Sequence, residues 1–414
     1  MASVKWWEKA VFYELYTDKF AGDFKGLRRR LDYLAELGIT CVHVLPHYPS
    51  PMVDDGYDVS DYTGIRPGLG TLKDFENFTK DARARGMSVM IDFVLNHTSR
   101  EHPWFREARS GESNPKRGFY IWSQAGEELK GSTNAFSGIK PSVWVRNKGR
   151  GDFYYSTFYP EQADLNWENP EVFSEMMKVL DFWTGLGVRA FRLDAVSHLI
   201  KKEGTNSESL PETHDVLKRI RRYADSKSGD IALLAEVHES LEKSAAYFGL
   251  GDECQLVYNF SLAEELFLAI LRNDEKRLWK MAKRVSKIPA DCQWLGFLRN
   301  HDDLSLATLS LKDRKEILYA LDPDGVFRFG KGVSVRLGTA FRGNPAKIKK
   351  AFSLLFEVCK KYPIRPVIYY GDEIGMENEV IPAGERDTRR AVRGVFDWQK
   401  AEKKLKNPSS FFRA

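Results

Sequence analysis

Eight short apolar runs, nearly all separated by amphipathic stretches, restrict this chain more than any other feature. Residues 11–16, 40–45, 88–95, 188–196, 231–237, 255–260, 294–298 and 366–370 read as strands. Runs this short and this uniformly apolar suit strands buried on both faces. Between them, 24–37, 72–85, 172–186, 214–224 and 346–360 place apolar residues at helical spacing, and further helices lie within 263–285. Gly38 and Gly86 stand where the first two helices should stop. A right-handed crossover repeated after each of eight parallel strands closes the sheet on itself, so the expected fold is an α/β (β/α)8 TIM barrel. An open doubly wound sheet is the alternative, but it usually carries a glycine-rich phosphate loop after its first strand, and no GxGxxG occurs here.

The rhythm breaks after the third strand. Residues 96–160 are polar and rich in Gly, Ser and aromatics, too long for an ordinary loop. We therefore expect a first barrel part over 1–97, an insertion over 98–160 and the barrel remainder over 161–414.

A barrel of this kind builds its active site at the C-terminal ends of its strands. Four strand ends are charged: Asp92 to His97, Arg192 to Asp194, Glu236 to His238, and Arg299 to Asp302. One such residue is usually a cap, whereas four clusters on one rim call for a chemical reason. Glycosidic cleavage supplies one. Its oxocarbenium-like transition state needs an anion beneath the anomeric carbon and an acid beside the leaving oxygen. Asp194 and Glu236 end adjacent strands, which favours the separation of about 5 Å of a retaining pair. Arg192 shares the face of Asp194 by period-two alternation and is expected to hold it ionised. Glu236 then needs a raised pKa, to which a third carboxylate, Asp302, contributes.

DFVLNH, GVRAFRLD, LAEVH and FLRNHD also resemble, in order and spacing, the four signature regions of the α-amylase superfamily, the family 13 glycoside hydrolases. The resemblance runs over essentially the whole chain. It implies Asp194 as nucleophile, Glu236 as acid/base and Asp302 as transition-state stabiliser. It implies substrate contacts at Asp54, Tyr57, His97, Phe158, Arg192, His301 and Arg393. Of these, Asp54 and Tyr57 come from DDGY, and Arg393 matches the arginine that pairs with an aspartate to block the pocket. QADLN at 162–166 is similar to the QPDLN motif of the oligo-1,6-glucosidase and trehalose-synthase branch. The segments 203–214 and 304–344 look most like trehalose synthases, and Ala195 is the residue type associated with α-1,4 preference. In the family the insertion is domain B, which walls the cleft.

The departures are equally specific. The loop 18–26 lacks the aspartate-rich DxNxDG repeat, so no calcium is expected there, and Asn96, which matches a calcium ligand of true amylases, is expected to make a structural hydrogen bond. RAVRGVFDW replaces the RTPMQW of close relatives. A last barrel helix and a β-sandwich follow the eighth strand in the family; here the sandwich is absent and 407–414 reads as the cut start of that helix. A seam left open there would need a longer chain or an oligomeric partner.

Composition excludes other classes. A net charge of +5 from 63 basic and 58 acidic side chains is a mixed surface, not a nucleic-acid footprint. The basic runs 28–30 and 400–406 read as solvated helix faces. No apolar run reaches membrane length and the N-terminus has no signal core, so a cytoplasmic enzyme without membrane contact is expected. Cys41, Cys254, Cys292 and Cys359 form no CxxC pair and read as buried free thiols. The expected function is a retaining, cofactor-free and metal-free enzyme that cleaves or transfers α-1,4-linked glucosyl units of maltose or malto-oligosaccharides, with isomerisation of maltose to trehalose as the leading form. Hydrolysis of the α-amylase or α-glucosidase type and amylosucrase-like transfer stay open. A non-catalytic relative is disfavoured, because all three carboxylates are present.

Overall fold

A computed structural model describes residues 4–382 and 384–405. Eight parallel strands close into a barrel in sequential order: β1 Phe12–Leu15, β2 Cys41–Val44, β3 Ser88–Val94, β4 Ala190–Asp194, β5 Ala232–Ala235, β6 Leu256–Tyr258, β7 Gln293–Phe297 and β8 Ile364–Tyr369. β1 closes the ring against β8, with Phe12 opposite Val367. Every expected strand is present, and their residues are almost all buried, as strands between a filled lumen and a coat of helices must be.

Helix starts follow local chemistry. Thr71 and Asp74 form a reciprocal capping box before Leu72–Ala84. Asn169 caps Pro170–Gly185 and Asn344 caps Pro345–Lys361, each followed by proline in the first turn. One expectation fails. The helix read over 24–37 is two helices, Phe24–Arg29 and Leu31–Glu36, broken at Arg30. The bend puts the Arg30 guanidinium 3.6 Å from the centre of the Trp398 ring, a tertiary contact that periodicity does not register. Trp398 begins the helix Trp398–Leu405 and packs on Phe20 and Tyr33. The expectation for 407–414 lies outside the described residues.

Two excursions rise over the C-terminal rim. After β3, His97–Ser99 pairs antiparallel with Gln162–Asp164, closing the neck of the first. Above the neck, a three-stranded sheet of Trp122–Ser123, Phe153–Tyr155 and Trp144–Arg146 packs a small core of its own with Leu129 and Val143. After β7, the chain forms the helix Leu311–Leu321 and a hairpin of Arg328–Phe329 with Gly332–Val333, tied back by a bridge from Leu304 to Val333. Among the described residues no helix is long and apolar enough to cross a membrane, and all four cysteines are buried and unpaired.

Asn344 accepts from the amides of Ala346 and Lys347 at 3.0 and 3.2 Å. Asn344→Ala should destabilise the protein by about 1 kcal/mol, read as a lower midpoint in urea with unchanged slope.

Candidate active site

Inside the barrel, just below the rim, the lumen is charged. Glu14 of β1, His43 of β2, Asp92 of β3 and Arg192 of β4 are all buried there. β3 and β4 are in register with Asp92 opposite Arg192, so strand pairing itself brings the two together. Arg192 Nη1 lies 2.6 Å from Asp92 and 2.5 Å from Asp194, and Nη2 lies 3.1 Å from Glu236 Oε1. One guanidinium therefore serves three carboxylates.

Glu236 has two further donors. The Ala195 amide donates to Oε2 at 2.8 Å, and His238 Nε2 lies 3.0 Å from Oε1. Ala195 reaches this position through a left-handed backbone, φ 48°, which is uncommon and costly for a residue with a Cβ and is held by the surrounding contacts.

The neighbours of the two carboxylates act on them differently. Burial, resisted by Arg192 but reinforced by the charges of Glu236 and Asp92, pushes Asp194 up to about 8. Burial also acts to raise Glu236, but Arg192 and His238 outweigh it and hold Glu236 down to about 2. The two carboxylates share one guanidinium, so their proton affinities are set together. Glu236 also meets a backbone amide and a histidine ring, neither of which strand alternation places.

Asp302 is gripped from behind. His301 Nε2 lies 3.1 Å from its Oδ2, and Arg393 Nη2 and Arg389 Nη1 lie 2.7 and 3.2 Å from Oδ1. Burial would raise its pKa, but His301 and the two arginines keep it well below the usual carboxylate range. His301 is stacked on Tyr57 and joined through Nδ1 to Glu14 at 3.0 Å. Burial would lower its pKa, yet Asp302 and Glu14 push it up to about 9, so it is an imidazolium at neutral pH.

A cavity of about 590 Å³ opens above these groups, and Asp54, Tyr57, His97, Phe158, Asp194, Glu236 and Asp302 all line it. Of the other expected contacts, Arg192, His301 and Arg393 stand behind the wall and act through the carboxylates that form it. Arg393, expected to pair with an aspartate, does so with Asp55 and Asp302, behind the wall. The arginine on Asp54 is Arg389, at 2.9 Å, whose fork also grips Asp387 at 2.6 and 2.8 Å. Asp387 caps the short turn Thr388–Val392 that carries Arg389, so the ion pair is anchored where its backbone starts. The sequence signal for Arg389 was the Asp-Thr-Arg spacing ahead of the motif, which the motif match passed over.

Arg389 also lies under two rings, 5.0 Å from Phe136 of the first excursion and 4.8 Å from Phe329 of the second. Those rings meet edge to face at 5.6 Å. The excursions therefore touch above the pocket and share one cation.

Asn96 makes the structural hydrogen bond expected of it. Lys201 Nζ lies 2.8 Å from its Oδ1 and 2.7 Å from Asp164, so a buried ammonium occupies the ground between these two oxygen ligands. Among the described residues no group of three or more His, Cys, Asp or Glu side chains is arranged to hold a metal ion.

The alpha-amylase catalytic domain family matches residues 10–322. Trehalose synthase of Pimelobacter sp. (strain R48) is 39% identical over 401 residues, which cover 92% of this chain and 69% of that protein. Trehalose synthase of Thermus thermophilus is 40% identical over 95% of this chain, which spans 40% of that longer protein. Among solved structures, sucrose 6F-phosphate phosphorylase from Thermoanaerobacter thermosaccharolyticum aligns with a TM-score of 0.82 over 98% of this chain and 85% of its own; at 22% identity this shows the fold alone.

Removing the shared cation exposes the electrostatics of the site. Arg192→Met should cost about 3–5 kcal/mol, because Asp92, Asp194 and Glu236 lose their buried partner. Their folded-state pKa values then rise above the unfolded ones. The penalty should therefore grow with rising pH and shrink below the unfolded carboxylate range, which thermal melts across pH 4–9 will read.

Proposed function

The chain belongs to the alpha-amylase family of glycoside hydrolases, and from that premise we propose that it is a retaining enzyme that moves the non-reducing glucosyl unit of a short α-1,4-linked glucoside, turning maltose into trehalose. One observation carries the reading: the Asp54–Arg389 ion pair sits in the cavity wall, backed by Asp387 and roofed by Phe136 and Phe329. A polymer must run through its site, whereas here a wall of paired charges closes the cavity on one side. That favours disaccharides over starch chains.

In this reading Asp194 attacks the anomeric carbon while Glu236 protonates the departing oxygen, leaving a β-glucosyl ester on Asp194. Asp302, fixed as an anion, holds ring hydroxyls and opposes the positive charge that develops at the ring. The reactive form has the proton on Glu236 and Asp194 ionised. A bound glucoside favours this form, since a leaving oxygen faces Glu236 and positive charge grows above Asp194. In the second half Glu236 takes a proton from the acceptor. If the released glucose turns and presents its anomeric hydroxyl, the product is trehalose; if water enters, it is glucose. The ring contact of Phe136 and Phe329 supports retention of glucose, because it joins the two excursions over the pocket and limits the entry of water. No cofactor takes part.

Incubation with maltose should yield trehalose as the main product, followed by chromatography of the neutral sugars. Glucose alone would replace transfer with hydrolysis, and no turnover by folded protein would sink the glucosidic reading. Asp194→Asn should abolish turnover with an unchanged fold. Arg389→Ala opens the end wall and should raise KM for maltose while improving use of maltotetraose relative to maltose; an unchanged chain-length profile would show that the ion pair does not set substrate size.

A further inference from the structure

His238 sits in the cavity wall two residues beyond Glu236 and has no part in the chemistry above. Its Nε2 lies 3.0 Å from Glu236 Oε1. Its ring lies against Phe260, centroids 3.8 Å apart and planes inclined by 32°, which fixes the ring orientation. Its side chain is 35% exposed, so the residue connects the buried carboxylate with the open pocket.

Three donors meet Glu236, and they are not equivalent. The Ala195 amide gives a hydrogen bond and the Arg192 guanidinium an ion pair, and neither gives up a proton at working pH. An imidazole can do both. Asp194 must keep its carboxylate free to bond to carbon, and Arg192 stands between it and Glu236. Among the described residues, His238 is thus the one titratable donor seated directly on the atom that has to gain and lose a proton.

We infer that His238 is a positioning residue that stores the proton Glu236 delivers and recovers in each catalytic cycle. This rests on the glucosyl-transfer reading given above. In the first half-reaction the His238 Nε2–H bond breaks as Glu236 Oε1–H forms. That O–H bond then breaks as the leaving oxygen takes the proton and the electron pair of the C–O bond, and carbon bonds to Asp194. In the second half the acceptor O–H bond breaks, Glu236 regains the proton, and the proton returns to Nε2. Nothing is oxidised or reduced, and no other reactant is needed.

The surroundings fit such a store. Glu236 faces His238 from its own strand end, Asp302 and Asp303 face it from the loop after β7, and His198 lies across the pocket. Burial lowers the affinity of His238 for a proton, but the three carboxylates outweigh it, so the ring is charged more readily than a free histidine. Asp303 is half-buried, and its desolvation, opposed by His238 and aided by Asp302, pushes it up to about 6.

The test compares two glucosyl donors in the full-length protein. Maltose needs a proton on its leaving oxygen, whereas fluoride leaves α-glucosyl fluoride without one. His238→Asn keeps an amide donor at the position but cannot carry a proton. It should lower kcat on maltose by about 100-fold with little change in KM, while first-turnover fluoride release stays near the wild-type rate. The alkaline limb of kcat/KM for maltose should move to lower pH, because one carrier of the essential proton is gone. Added imidazole should restore part of the maltose activity of His238→Ala. Equal losses on both donors, or an alkaline limb that moves up, would overturn the inference, since His238 would then be a wall residue or a fixed cation. Wild-type protein that releases no fluoride would instead sink the glucosyl-transfer reading on which it stands.

Discussion

The charge of Arg192 is the constraint on which the rest of the site depends. A guanidinium cannot be neutralised at any pH the fold survives, so burying it obliges the barrel to surround it with anions. Asp92, Asp194 and Glu236 do so from three adjacent strands. The arrangement satisfies a structural demand and sets up a chemical one with the same atoms. Two carboxylates held against one cation, with a third beneath them, cannot all be ionised without cost, and a proton shared among them is the currency of acid–base catalysis. The barrel makes this tolerable because both faces of every strand are covered and the lumen gives each charged group a partner on a neighbouring strand.

A second cation, Arg389, performs a comparable task at the level of whole segments. It binds Asp54 from the loop after β2, Asp387 from its own turn and Asp302 from the loop after β7, and lies beneath one aromatic ring from each excursion. Four stretches of chain distant in sequence thus converge on one side chain of the turn that Asp387 caps. The consequence is a pocket whose inner wall is made by ion pairs and whose roof is made by ring contacts.

Much of the fold was legible because it follows from short-range rules. Strand positions came from apolar runs and helices from apolar spacing, while the caps Thr71, Asn169 and Asn344 act within a turn of the helices they start. The break at Arg30 was not, because stacking on Trp398, more than 360 residues away in sequence, has no local trace. The site was legible to the extent that strand alternation governs it. Arg192 and Asp194 share a face because they are two residues apart. Arg389 and Arg393 could not be told apart that way: four residues apart near the same turn, both reach Asp302, and only the path of the loop decides which of them reaches Asp54.

The sequence by itself determined a closed parallel barrel with charged strand ends on one rim, because strand period, crossover handedness and residue type are properties of adjacent residues. Tertiary structure alone decided how those charges behave. It turned the Ala195 amide toward Glu236, laid His238 on Phe260, seated Lys201 between Asn96 and Asp164, and set Arg389 against Asp54. The proton affinity of a buried carboxylate is a sum over all neighbours within a few ångströms, and most of those neighbours arrive from elsewhere in the chain.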